Sequence, residues 1–379
     1  MGKTLVKRYG SCLLLAGLLS GCLTSAPVKK NHFYVKRNWV RDLAERNGGF
    51  QRSQRMEPVL IDNLVVQGNG YDGIAAYSRN DGKPVWQFHV NEGVEGGAAA
   101  DRGQLFFGGN DGFFYSVEAT TGKLLWKVNV GAQVLSEPLV AADGVYFLTG
   151  NNTLMAVDRT TGVQKWQYKR AQTTNLTIRG GATPVISKSV LYVGMSDGFF
   201  ISVDVTDGRL LWERPLLDRG RFIDIDSSPV LSEGRIYVST YDGAFFCLDQ
   251  KDGQVVWQLD KGGYSSATLV KDTLYHSTTT GEVIAVDAGS GQVRWTYKVK
   301  KGIPTQPTFF RGLIAFGESG GELRFLSAQT GVEVGRFNPG RGISATPLIE
   351  ESGEAYIMSN EGYLYSLMIG WATDAQTGL

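Results

Sequence analysis

The 379 residues carry 38 basic and 37 acidic side chains, so the near-neutral chain offers no excess of positive charge of the kind a nucleic-acid backbone demands. Glycine is about 13% against an average near 7%, aromatic residues reach 11% and charged residues only 20%, a composition of many turns and few helices. The length exceeds the roughly 250–300 residues that a single core serves, which implies a radially repeated fold or two domains.

At the start, Lys3, Lys7 and Arg8 precede an uncharged apolar run from Cys12 to Leu19. That order predicts a secretory signal peptide over residues 1–21, and eight apolar residues are too few to cross a hydrocarbon core of roughly 30 Å. Leu19-Ser20-Gly21-Cys22 resembles the bacterial lipobox, which implies cleavage before Cys22, acylation of its thiol, and anchoring without a membrane span. Leu23 stands where an aspartate commonly retains lipoproteins at the inner membrane, so the expected destination is the periplasmic face of the outer membrane. Removal of residues 1–21 leaves 35 basic and 37 acidic residues, a balance of −2. With Cys12 lost and Cys22 acylated, Cys247 has no disulfide partner; within Phe245-Phe246-Cys247-Leu248 it reads as a small core residue.

Residues 22–31 form the expected tether, and residues 32–57 hold a predicted strand from Tyr34 to Leu43 that contains Trp39. Beyond them the pattern small-Gly-x-x-x-Trp recurs at Trp86, Trp126, Trp166, Trp212, Trp257 and Trp295, with Gly335 as a seventh equivalent. Spacings of 38 to 46 residues, filled with short strands, are the signature of propeller blades. Two turns recur in each repeat. One set is Asp72-Gly73, Asp111-Gly112, Asp197-Gly198 and Asp242-Gly243; the other includes Asp81-Gly82, Thr121-Gly122, Thr161-Gly162 and Asp207-Gly208. Glycine there supplies the positive φ of tight hairpin turns, so each pair joins antiparallel neighbours. An eighth set near residues 345–348, 355–358 and 363–367 has only three strands. The N-terminal segment, with Trp39 one repeat length before Trp86, is expected to supply the fourth and close the ring. The predicted fold is therefore all-β: an eight-bladed β-propeller of four-stranded antiparallel blades over residues 58–369, followed by a tail at 370–379. The run Val157-Asp158-Arg159-Thr160-Thr161-Gly162-Val163-Gln164-Lys165-Trp166 resembles the tryptophan-docking motif of quinoprotein propellers, which makes the six tryptophans structural wedges between blades.

Three catalytic patterns dissolve in this repeat. Gly68-Asn69-Gly70-Tyr71-Asp72-Gly73 matches a dinucleotide loop, but a strand follows where a helix is required. Gly194-Met195-Ser196-Asp197-Gly198 and Gly317-Glu318-Ser319-Gly320-Gly321 match a nucleophile elbow, yet both fall at a hairpin turn. His32, His89 and His276 lack ligand spacing to one another, and each reads as a half-buried surface residue. No catalytic group, metal site or cofactor is expected.

The connection from each tryptophan strand to the next blade takes 11 to 13 residues, counted to Ala99, Pro138, Thr268, Pro307 or Pro347. Two are longer: Trp166 to Pro184 takes 18 and Trp212 to Pro229 takes 17. Successive insertions in one connection emerge side by side on one face, where a rigid scaffold usually places binding. Leu176, Ile178 and Ile223 read as exposed aliphatics, with Arg179, Asp224 and Asp226 as polar partners, the composition of a protein-binding patch; the alternative is that Arg179 and the aspartates pair with one another and only order the two loops.

The lipobox, the order of blades, the Trp-less seventh repeat, and Leu176-Thr177-Ile178-Arg179-Gly180 followed by Asp224-Ile225-Asp226-Ser227-Ser228-Pro229 together resemble the BamB family of the bacterial β-barrel assembly machinery. The resemblance covers about residues 39–369 and implies a non-enzymatic scaffold lipoprotein. It further implies that Leu176, Ile178, Arg179, Asp224 and Asp226 contact the periplasmic POTRA domains of BamA, and it admits unfolded outer membrane proteins as further partners. The competing expectations are another envelope scaffold and a quinone-dependent dehydrogenase on the same propeller; such enzymes use a vicinal cysteine pair, and this sequence has no adjacent cysteines.

Overall fold

The computed structural model describes residues 31–43, 55–142, 144–170, 181–217 and 222–373. The signal segment, Cys22, the tether before Asn31, the residues after Thr373, and Leu176, Ile178 and Arg179 lie outside the described residues. Every regular element among those described is a strand, and the strands pair into eight four-stranded antiparallel sheets. The sheets are the blades of a ring whose body, Phe33–Gly370, is one compact unit. Blade 1 shows the plan: Val59–Ile61 innermost, then Leu64–Asn69, Gly73–Ser78 and Pro84–His89 outermost.

Burial follows from position in the blade. The two middle strands have both faces covered by neighbouring blades and read as apolar runs, as in Leu105, Phe106 and Phe107 of blade 2, all inaccessible to solvent. Outermost strands alternate instead, and Leu124–Asn129 buries Trp126 while Leu124 and Leu125 face water. The three pattern-matching loops each join antiparallel strands of one blade, so they are hairpins as expected.

The tryptophan wedge has a specific partner. Each ring lies on the glycine of the next blade's outer hairpin, where the residue has φ near +70°. A methyl group added to Gly122 would stand 2.6 Å from Trp86, and one added to Gly162 2.5 Å from Trp126. The indole Nε1–H of Trp86, Trp126 and Trp166 donates to Ala119, Arg159 and Val205 oxygens at 3.2, 3.1 and 2.9 Å, also in the next blade. Trp212, Trp257 and Trp295 lie in the same way on Gly253, Gly291 and Gly331.

Ring closure uses the first strand, as expected. Asn31–Asp42 is the outermost strand of blade 8, beside Tyr363–Thr373, and Trp39 lies on Gly82 of blade 1 and donates to the Arg79 oxygen at 2.8 Å. Arg79 then ties the seam through Glu350, through Glu354 at 2.5 Å and through Tyr356 at 3.3 Å. Because blade 8 borrows its fourth strand from the chain start, no hairpin joins its third and fourth strands. A seventh tryptophan would find no turn to cover. Gly335, opposite Phe325, occupies the site, and Phe33 of the closing strand fills the space, its ring 4.9 Å from that of Phe325.

Some expectations need correction. The last strand runs to Thr373, past the expected boundary at 369, because it pairs along the closing strand. Gly243 does not adopt positive φ, unlike Gly73, Gly112 and Gly198. Strand register makes Ala98 and Ala267, rather than Ala99 and Thr268, the equivalents of the prolines: Ala99 pairs with Phe106 and Thr268 with Tyr275, as Leu139 pairs with Tyr146. His276 is fully buried, stacked 4.3 Å from Phe245 with Nε2 donating to the Lys261 oxygen at 3.0 Å, and burial pushes it down to about 4. Cys247 is a buried core residue, its thiol pushed up to about 11 by burial.

Candidate functional site

The connections from outermost to innermost strand descend into the centre of the ring and enclose a cavity of about 340 Å³. Extended backbone sends alternate side chains to opposite sides. In every blade the residue before the proline equivalent points into the cavity: Glu57, Gly97, Glu137, Thr183, Ser228, Ser266, Gln306 and Thr346. Two residues earlier, seven blades add a second tier of Arg55, Glu95, Leu135, Gly181, Asp226, Tyr264 and Ser344, with Ile303 from blade 7. The intervening residues point into the blades, where Ser136 and Ser227 donate to the oxygens of Leu148 and Ser239 at 3.1 and 2.9 Å. Composition gave no sign of these lining residues, but the register of the repeat marks them.

Among the described residues the lining is acidic: Glu57, Glu95, Glu137 and Asp226 face Arg55. Burial, then the charge of Glu137, push Glu57 up to about 8. Glu137 meets channel water, yet protein encloses the rest of it, and this desolvation pushes it up to about 7. Asp226 also reaches about 7 through burial and then the charge of Asp224, against the pull of Arg55. Tyr264, across the channel, is pushed up to about 12 by burial.

Described residues beside the two insertions are tied to the ring. Arg170, where the first leaves the ring, bonds Asp197 at 2.6 Å and covers Phe199 at 4.2 Å. Where they re-enter, the Thr183 N–H donates to Ser228 Oγ at 2.8 Å, so the two long connections meet at the cavity wall. Ile223 and Asp224 are not on an exposed patch: they are 9% and 1% accessible, because the chain has already turned inward there and Asp224 accepts through its backbone oxygen from the Tyr241 N–H at 3.1 Å. Asp226 faces the channel.

The ring is that of the quinoproteins, and it tests whether their cofactor suits this channel. A quinone bearing several carboxylates would meet a wall rich in carboxylates. Among the described residues no three of His, Cys, Asp and Glu converge where a metal ion could be held. The residues do not fit that group.

The fold and site thus define a quinoprotein-type propeller with an acidic channel. A family model described as outer membrane protein assembly factor BamB matches residues 71–297, and the chain belongs to this family. A relative of that description from Moranella endobia is 27% identical over 52% of this chain, which spans only 54% of that relative's length. One from Salmonella typhimurium is 24% identical over 94% of this chain and 97% of its own. Among solved structures, BamB from Moraxella catarrhalis matches with TM-score 0.76 at 21% identity, covering 88% of this chain and all of that one. A quinohemoprotein alcohol dehydrogenase from Pseudomonas putida shares the fold with TM-score 0.74 at 12% identity, over 88% and 76%.

Proposed function

We propose that this chain is a non-enzymatic subunit of the outer membrane β-barrel assembly machinery, anchored through acylated Cys22 and docked on the POTRA domains of a BamA-like protein. The observation that carries the proposal is the contact of Thr183 with Ser228, which joins the described ends of the two long connections, in a chain whose relatives are assembly factors. Leu176, Ile178 and Arg179 supply the contact, with arginine able to hydrogen-bond in a fork while its stem packs on aliphatics. Asp224, buried at the base, and Asp226, facing the channel, set the position of the second connection. Unfolded outer membrane proteins are the clients that the complex, rather than this subunit's chemistry, inserts.

Calorimetric titration of purified POTRA domains tests the assignment. Arg179→Ala should weaken binding by roughly 1–3 kcal/mol, about 5- to 150-fold, with the fold intact. Gln133, on an unextended connection of the same face, is the control, and Gln133→Ala should stay within about twofold. Equal affinity for both variants would remove the insertions from the interface. For the anchor, Cys22→Ser should release the protein from the outer-membrane fraction; retention there would assign anchoring to another segment.

A further inference from the structure

We propose that the channel wall at blades 1 to 3 is a pocket for a small organic cation with an aliphatic stem, an ammonium or guanidinium carried on a short hydrocarbon chain. Glu57 and Glu137 line the channel from blades 1 and 3, and between them blade 2 offers only Gly97. A methyl group there would stand 2.5 Å from Glu137 Cβ, so glycine makes room for that side chain to lean across. Below the glycine, the innermost strand of blade 2 is Ala98-Ala99-Ala100, where other blades carry residues such as Val185-Ile186 or Thr308-Phe309-Phe310. The missing volume opens a second cavity of about 350 Å³, walled by Val59, Leu60, Ala99 and Leu348 and rimmed by the same two glutamates. A space of that size suits a small ligand. Its chemistry is divided, with two carboxylates at the mouth and aliphatic walls beneath.

Glu57 is half-buried and Glu137 is open to the channel, and neither carboxylate has a partner among the described residues to satisfy it. Among the described residues neither Glu57 nor Glu137 has a hydrogen bond or ion pair, and Asp226 Oδ2, buried on the opposite wall, has no hydrogen-bond partner. The other ionisable groups lining the channel are Arg55, Glu95, Asp226, Tyr241 and Tyr264. Arg55 acts on Asp226, Tyr241 and Tyr264, away from the glutamate pair. A bound cation would reverse the rise in both glutamates, so binding expels protons near neutrality.

Calorimetry of the full chain with two probes tests this, one being pentylamine as a free amine and the other N-acetyl-lysine methylamide as a side chain of a polypeptide. Binding should tighten about tenfold or more from about pH 6 to about pH 9, with proton release seen as a buffer-dependent enthalpy. Glu57→Gln and Glu137→Gln should each weaken it about tenfold. Ala99→Leu keeps both carboxylates and fills the apolar wall, so it should abolish binding even if a glutamate variant folds poorly. If only the lysine derivative binds, the ligand is a protein side chain; if pentylamine binds as well or better, it is a free amine. Equal binding by wild type and Ala99→Leu overturns the pocket, as does failure of both probes. Tighter saturable binding of calcium than of either probe would make this a metal site and likewise refute the proposal.

Discussion

Seven outer-hairpin glycines, from Gly82 to Gly331, meet an indole from the preceding blade within 3 Å of where a Cβ would stand. Eight equivalent residues on the channel wall, from Glu57 to Thr346, include two acids, one glycine and five uncharged polar residues. Both sets come from the same repeat, with 15 residues from Gly82 to Gly97 and from Gly122 to Glu137. The outer position is held constant by a packing partner of fixed shape, whereas the inner one faces open space and is free to differ. Uniformity across blades therefore marks support, and divergence at a register position marks a place where chemistry can be put.

The largest test removes a whole junction. Deleting residues 31–43 takes away the closing strand, Trp39 and Phe33 together, leaving blade 8 with an unpaired edge and Gly335 with an empty space beside it. Loss of the cooperative melt is expected in calorimetry; an unchanged melting temperature would mean that the ring closes without that strand.

A smaller change isolates the wedge from the turn. Gly162 and Gly103 have φ of +73° and +78°, but only at Gly162 does a methyl meet a ring, that of Trp126, while Gly103 looks into open space. Alanine should cost about 1 kcal/mol at Gly103 from backbone strain, and roughly 1–3 kcal/mol more at Gly162 from overpacking. Equal denaturant midpoints would show that the indole yields and that the wedge is soft.

The smallest effect belongs to the channel. The folded-state value of Glu57 lies above its ordinary 4.5, at about 8, so the native state holds its proton more tightly than the unfolded chain. The contribution is therefore full below about pH 4.5 and is lost as pH rises through about 8. Glu57→Gln should flatten that decline, by roughly 2 kcal/mol after allowance for channel water, in melts between about pH 5 and pH 8. Parallel curves for the variant and the parent would place the carboxyl in ordinary solvent.

The sequence made the ring legible because the tryptophan and glycine recur at fixed spacing, and because three strands at the end required a fourth from the start. The reason for the Trp-less seventh repeat was hidden. It depends on Phe33, about 300 residues away, and on a hairpin that ring closure removes. The two long connections were visible as extra length. The direction of their side chains was not, since Ile223 and Asp224 look polar-exposed in a loop yet already lie under the face. Glu57 and Glu137 were not visible as channel acids because no catalytic or ligand spacing singles them out, although the proline after each gives their register.

The closing strand also fixes an order of events. Asn38 Nδ2 meets Ser366 Oγ at 3.4 Å across a separation of 328 residues, so the last contact of the ring joins two strands far apart in the chain. Contacts so far apart in sequence are slow to form, because loop-closure entropy must be overcome before they contribute. Until residues near 370 have emerged, the opening strand has no partner and blade 1 has a bare flank. The closing strand is thus made long before its partner, and the interval before closure is when this protein is most open to mispairing with another chain.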